Sequence, residues 1–278
     1  MIASSLIARL SSFRTDSHRV PNASALEGYR KAQRLSYGAA LKVAGELRAG
    51  WTEKQAAARL GEELQARGVR ALFHVPLAWF GDHSRFDGYR GYREYLPSNR
   101  ILKPGDVFIL DAAPIVDGFI GDIGYTASLG PHAALDEAKV LLRRLRSELP
   151  ALFESTRTTR EIWRYIDQEI ARAGYDNCHA LYPFAVLAHR IPRVPLSGFR
   201  SAGIDIGPAS WFSFHTYATL LRRGIFPELL GPDHTGPKEG LWAIEPHIGG
   251  EGFGAKFEEI LVVEPGRAYW LDDDVPHK

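Results

Sequence analysis

Asp111 stands in the middle of VFILDAAPIV, a run whose other residues read as a buried strand. A charge inside an apolar strand is costly unless it is paired or bound to a cation. Asp122 follows 11 residues later, in GFIGDIGYTAS. Between them, Val116-Asp117-Gly118 has hairpin-turn chemistry, so Asp106–Ile115 and Phe119–Ser128 read as the two strands of one hairpin. If that hairpin closes at Asp117-Gly118, the two aspartates lie close to opposite each other. Like charges placed there repel unless a cation sits between them.

The end of the chain repeats the arrangement. Glu245 lies in LWAIEPHI and Glu258 in AKFEEILVV, 13 residues apart, with Gly249-Gly250-Glu251-Gly252 between them. Two hairpins, each presenting two carboxylates from apolar strands, make four convergent acids. Hard oxygen ligands in that number suit one or two divalent ions (Mn, Fe, Co or Zn), with one imidazole as the expected complement. Taken singly, each acid is more simply an edge-strand salt-bridge partner. Taken together, the four are not.

The rest of the chain frames these hairpins. Leu26 to Leu47 reads as a long helix, with apolar positions at Tyr29, Leu35, Leu41, Val43 and Leu47. Thr52 and Gln55 have capping-box spacing, and Gly68 stops the helix they start. Thr158, Glu161 and Gly174 repeat the pattern, again with 16 residues from Thr to Gly. The flanks also match, QARGVRALFHVP against ARAGYDNCHALYP. Equal spacing points to two related halves inside one domain. Three helical segments and paired hairpins on both sides give an α+β class, with helices on a curved antiparallel sheet. Residues 1–25 form an expected N-terminal arm. Residues 26–278 form a single domain, with an insert at about 195–240 rich in Gly, Pro and aromatics.

Charge and composition exclude several function classes. Lys and Arg total 34 against 33 Asp and Glu, so no broad cationic field draws in nucleic acid or an anionic membrane. A single Cys rules out an internal disulfide framework and a thiolate metal cage. No apolar run approaches the ~20 residues of a membrane span. The start, MIASSLIARLSSFR, has no apolar core followed by a small-residue cleavage site. A cytoplasmic protein is the expectation.

The run LKPGDVFILDAAPIVDGFIGDIGYTASLG resembles the metal-binding hairpin of the methionine aminopeptidase, aminopeptidase P and creatinase superfamily, metallopeptidase family M24. That pattern is L-x-x-G-D, a ligand Asp, then D-G-[FY]-x-G-D with the second ligand Asp 11 residues after the first, and Asp111 and Asp122 match it. EGLWAIEPHIGG is similar to the family segment that ends in I-E-P, which gives Glu245 a ligand role. KFEEILVV is similar to the final strand, where a Glu ahead of an apolar run bridges two metals. That role falls to Glu258, with Glu259 as the fallback, since strand alternation turns only one of the two toward the site. The fifth ligand is a His. YPFAVLAHRIPRV resembles its surroundings and points to His189, with His179 as the runner-up.

The resemblance implies the pita-bread fold, a pseudo-twofold duplication. It also implies two divalent ions (Mn, Co, Fe or Zn) and a metal-bridging hydroxide that cleaves an amide bond. In this scheme Asp122 and Glu258 bridge, Asp111 chelates one ion, and His189 and Glu245 complete the other. Glu245 also shuttles a proton to the leaving amine. The outer-shell histidines depart from the family. The residues before L-x-x-G-D read YREYLPSNR, and the position seven after His189 is Leu196. His83, His234 and His247 are the candidates to stand in. The chain reads as a divergent member without the large N-terminal domain of creatinase, prolidase and aminopeptidase P. An aminopeptidase or Xaa-Pro-type peptidase acting on small peptides is the leading expectation, and a homodimer is among the assemblies it allows. A creatinase-like hydrolase of a small non-peptide C–N bond is the alternative, and a non-catalytic binding protein on the same fold is the second. Trp211, Phe212, Phe214 and Tyr217 of the insert are candidates to line a substrate pocket.

Overall fold

The computed structural model describes residues 19–89, 91–194 and 228–278. Residues 1–18 of the expected arm lie outside the described residues. So do residues 195–227 of the expected insert, with Leu196, Trp211, Phe212, Phe214 and Tyr217.

Each half opens with two helices, α1 (Ala23–Glu46) and α2 (Glu53–Ala66), then α3 (Ala133–Glu154) and α4 (Thr159–Arg172). Both expected capping boxes form. The Thr52 hydroxyl accepts from the Gln55 N–H and the Thr158 hydroxyl from the Glu161 N–H, while the Gln55 and Glu161 side chains accept from the threonine N–H groups. Gly68 and Gly174 follow the two helices at φ 89° and 81°, a backbone that only glycine enters freely. Helix α3 goes beyond the three helical segments expected. It buries Leu135, Ala138, Leu141, Leu142, Leu145 and Leu149 at helical spacing.

The strands of the first half are β1 (Ala71–Leu72), β2 (Leu77–Phe80), β3 (Val107–Ala112), β4 (Pro114–Val116), β5 (Phe119–Ile120) and β6 (Ile123–Ser128). Those of the second half are β7 (Asp176–Asn177), β8 (Ala188–Arg190), β9 (Leu229–Leu230), β10 (Gly240–Ile244), β11 (His247–Gly250), β12 (Phe253–Lys256), β13 (Glu259–Glu264) and β14 (Arg267–Trp270). Every pairing among them is antiparallel. The ladders run β2-β3-β6 and β1-β4-β5 in the first half, and β14-β13-β10-β8-β9 and β12-β11-β7 in the second.

The two long hairpins are not uninterrupted, as the sequence reading had them. Each keeps one register but changes ladder halfway. In the first, β3 pairs with β6 and β4 with β5, around a turn at Asp117 and Gly118 with φ 52° and 84°. In the second, β10 pairs with β13 and β11 with β12. Ala113 and Gly121-Asp122 fall in the first break, and Glu245-Pro246 and Phe257-Glu258 in the second. Proline has no N–H for a ladder, so Pro114 and Pro246 suit such positions. At Gly121 the hairpin presses so close to α1 that an added Cβ would overlap the Ala32 carbonyl.

The halves meet at an isolated bridge between Gly124 and Glu258. Beside it, the Thr126 hydroxyl donates to the Lys256 carbonyl (2.7 Å) and accepts from its N–H (3.0 Å). Helix α1 reaches across as well. Its Tyr37 hydroxyl donates to the Glu258 carbonyl (2.7 Å), and its Gln33 Oε1 accepts from the Ile260 N–H (3.0 Å). No helix among the described residues is long and apolar enough to cross a membrane.

Gly121→Ala is expected to lower stability by about 1–3 kcal/mol, the usual cost of overpacking a site that cannot relax. Thr52→Ala should cost about 1 kcal/mol through its lost cap. Denaturant unfolding at constant m-value measures both.

Candidate metal centre

The changes of ladder put the acids together. Asp111 is on β3, in register with Leu77 on one side and Gly124 on the other. Asp122 sits in the first break and Glu245 and Glu258 in the second. All four are buried. The Glu245 N–H donates to the Leu187 carbonyl at 2.9 Å, which ties its break to the start of β8, the strand carrying His189.

Two groups of potential ligand atoms form, each within 4.8 Å throughout, and both include Asp122. One is Asp122, His189 and Glu258. His189 Nε2 lies 3.3 Å from Asp122 Oδ2 and 3.5 Å from Glu258 Oε1. The other is His74, Asp111 and Asp122. His74 Nε2 lies 3.2 Å from Asp111 Oδ1 and 3.2 Å from Asp122 Oδ1. Ligands about 2.0–2.2 Å from a common ion stand at most about 4.4 Å apart, so little adjustment closes either group on a cation. The acids fit that role in a second way. Asp111 Oδ1 and Asp122 Oδ2 are buried with no hydrogen-bond partner. Burial opposes the ionisation of Asp122, but the His74 and His189 imidazoles outweigh it and hold the carboxyl well below its ordinary range.

A third group completes the cluster. The Lys256 ammonium lies 2.6 Å from Asp111 Oδ2, 2.8 Å from Glu245 Oε2 and 3.0 Å from Glu258 Oε2. Its side chain is 2% exposed and crosses Gly124, where an added Cβ would stand 2.5 Å from Lys256 Cε. Burial disfavours the charged amine, but the three carboxylates reverse that and keep it protonated. Burial, and then the charge of Glu258, push the Glu245 carboxyl up to about 8 against the pull of Lys256.

Of the residues expected from sequence, Asp111, Asp122, His189, Glu245 and Glu258 come together here. His179 does not join them. It is buried between Trp163 and the His247 N–H, and burial pushes its pKa down to about 3. Glu259 faces the other way, onto Arg146 (2.6 and 2.7 Å) and His277. His83 has both ring nitrogens engaged elsewhere, by Glu53 Oε1 (2.7 Å) and the Glu94 carbonyl (3.0 Å). His234 pairs through Nδ1 with the Thr159 hydroxyl (2.7 Å) and packs edge-on against Trp242. His247 is buried one layer out. Its Nδ1 meets the Tyr182 hydroxyl (2.9 Å), its Nε2 lies against Gly254, and burial keeps it neutral. Neither His83 nor His247 has a hydrogen bond or ion pair with the four acids among the described residues. Sequence reading missed His74 and Lys256. The signal for His74 was present, as a lone His in an apolar strand after a capping-box helix. Lys256, two residues before Glu258, shares its strand face.

Residues 27–265 match the profile of metallopeptidase family M24. The chain belongs to that family. Its structure is similar to an X-Pro aminopeptidase from Thermotoga maritima MSB8, with a TM-score of 0.68 and 18% identity over 94% of this chain and 64% of that one. The Pyrococcus furiosus prolidase gives 0.64 and 17%, over 92% and 66%. The dipeptidase PepE of Mycobacterium ulcerans gives 0.64 and 22%, over 93% and 60%. The chain thus spans about three-fifths to two-thirds of these relatives' length, and at such identities the likeness establishes the α+β pita-bread fold. A search of curated protein sequences finds no match.

The opposite facing of Glu258 and Glu259 separates metal binding from stability. Glu259→Ala leaves the buried Arg146 without its main partner and should cost about 3–5 kcal/mol of stability while metal content holds. Glu258→Ala should lower metal content instead. Elemental analysis together with thermal unfolding of the two variants distinguishes them.

Proposed function

We propose that this chain is a metal-dependent hydrolase of peptide C–N bonds, of the Xaa-Pro type. The observation that carries the reading is the convergence of four buried carboxylates, Asp111, Asp122, Glu245 and Glu258, with the His189 imidazole, Asp122 being shared by two groups of potential ligand atoms. Two cation positions with a common carboxylate are what a dinuclear hydrolase requires. The X-Pro aminopeptidase and the prolidase among the similar structures support the substrate class.

When bound, divalent ions supply Lewis acidity to the scissile carbonyl and lower the pKa of an attacking water. The chain's own residues do the rest. Asp111, Asp122, His189 and Glu258 would hold and orient the ions. Lys256 takes Glu245 Oε2 and leaves Oε1 for the site, to reach the second ion or to move a proton. With one oxygen held by Lys256 and the other turned to the site, Glu245 is placed to pass a proton to the leaving amine. Phe73 stacks on the His189 ring at 6.0 Å, and Tyr182 and Trp79 stand about Lys256, so apolar walls limit water around the acids.

The test is metal content, followed by turnover of Xaa-Pro peptides, other dipeptides and Met-peptides with Mn, Co, Fe or Zn. Uptake of divalent ions with preference for Xaa-Pro substrates is expected. Glu245→Gln should reduce kcat by about 10²–10⁴-fold. A protein that takes up no divalent metal overturns the reading. Uptake without cleavage of any peptide transfers it to small non-peptide C–N substrates.

A further inference from the structure

His74 is not among the five ligands that the family resemblance supplies, yet its setting matches that of His189. Its Nδ1 lies 2.7 Å from the Val75 carbonyl and the Nδ1 of His189 lies 3.3 Å from the Arg190 carbonyl. In each, a backbone carbonyl holds the Nδ1 proton and turns Nε2 inward. This is the outer-shell arrangement that orients metal-binding imidazoles. The two Nε2 atoms approach opposite oxygens of Asp122, Oδ1 for His74 and Oδ2 for His189. His74 Nε2 lies 3.2 Å from one oxygen of each of two carboxylates, so a proton or a cation must lie among the three atoms. The side chain of His74 is 11% exposed, and Asp111 Oδ1 beside it has no hydrogen-bond partner.

Lys256 explains why an additional ligand is needed. In the five-ligand scheme Asp111 chelates one ion and Glu258 bridges both, so each uses two oxygens. Here Lys256 Nζ takes Oδ2 of Asp111 and Oε2 of Glu258. One oxygen of each remains, Asp111 Oδ1 beside His74 and Glu258 Oε1 beside His189. The ion on the Asp111 side loses a chelating oxygen and its share of Glu258, and His74 is the group placed to make up the loss.

Resting on the hydrolase reading above, we propose that His74 is a metal ligand. One ion takes His74, Asp111 and Asp122. The other takes Asp122, His189 and Glu258. Asp122 alone bridges them, and each half of the fold contributes one imidazole.

The test counts ions. The protein is stripped with a chelator and titrated with Zn or Co, the bound metal is counted per chain, and X-ray absorption reads the imidazole scattering. Two ions, each with one imidazole, are expected in the wild type, and one ion in His74→Ala, with affinity for the lost ion down by more than 100-fold. His189→Ala should lose the other ion. His74→Gln, which keeps a polar side chain of similar reach, serves if the alanine variant does not fold. Wild-type count and affinity in the His74 variants overturn this proposal and leave the hydrolase reading standing. A wild type that binds no ion sinks that reading itself.

Discussion

Four carboxylates from two hairpins face one another in a space with little access to water. No packing of the surrounding apolar strands makes that arrangement favourable by itself, because burial and mutual repulsion both oppose it. Cationic groups must therefore come with it. Among the described residues they are Lys256, held by three of the acids, and the imidazoles of His74 and His189. Much of the surrounding structure serves to aim these groups. Gly124 has no side chain, so Lys256 can cross it. The Tyr37 hydroxyl fixes the carbonyl of Glu258. Gly121 lets helix α1 come down on the turn beside Asp122.

The change of ladder within each hairpin is the device that brings acids to the centre. A straight hairpin would spread Asp111, Asp122, Glu245 and Glu258 along two flat faces. Breaking each strand pair at Asp122, Glu245 and Glu258 and just beyond Asp111, with the register kept on both sides, turns the chain and points the carboxylates inward. The same construction occurs in both halves, and the bridge between Gly124 and Glu258 joins them there.

Much of this was legible in the sequence, for particular reasons. Acids inside apolar strands are conspicuous, and two pairs of them in order carried the family. Both capping boxes were written as Thr-x-x-Gln and Thr-x-x-Glu with a glycine stop, and both formed. The breaks were harder to see, because a strand that changes partner midway keeps its alternation. Helix α3 has a regular apolar stripe but no Thr or Ser cap to announce it, since His132 caps it through Nδ1. The outer histidines were harder to place, because a His two residues from a ligand, or near one in a loop, has no pattern that fixes its direction. His83 is drawn to Glu53 and His234 to Thr159, contacts that only the tertiary fold creates. The comparison of QARGVRALFHVP with ARAGYDNCHALYP aligned His74 with His179 approximately, yet only His74 reaches the acids. Duplicated halves keep their elements more faithfully than the roles of single side chains.

The short bridge at Gly124 and Glu258 bears on how the protein folds. Asp111 and Asp122 belong to the first half and Glu245 and Glu258 to the second, so more than 100 residues of chain separate the two pairs. Contacts so distant in sequence form late and slowly, after each half has organised its local helices and hairpins. Neither half alone carries the complete ligand set. A cation that binds only the docked arrangement adds stability in proportion to its concentration and acts as a clasp between the halves. Removing it would therefore loosen the association of the halves first, while the helices and hairpins of each half stay largely intact.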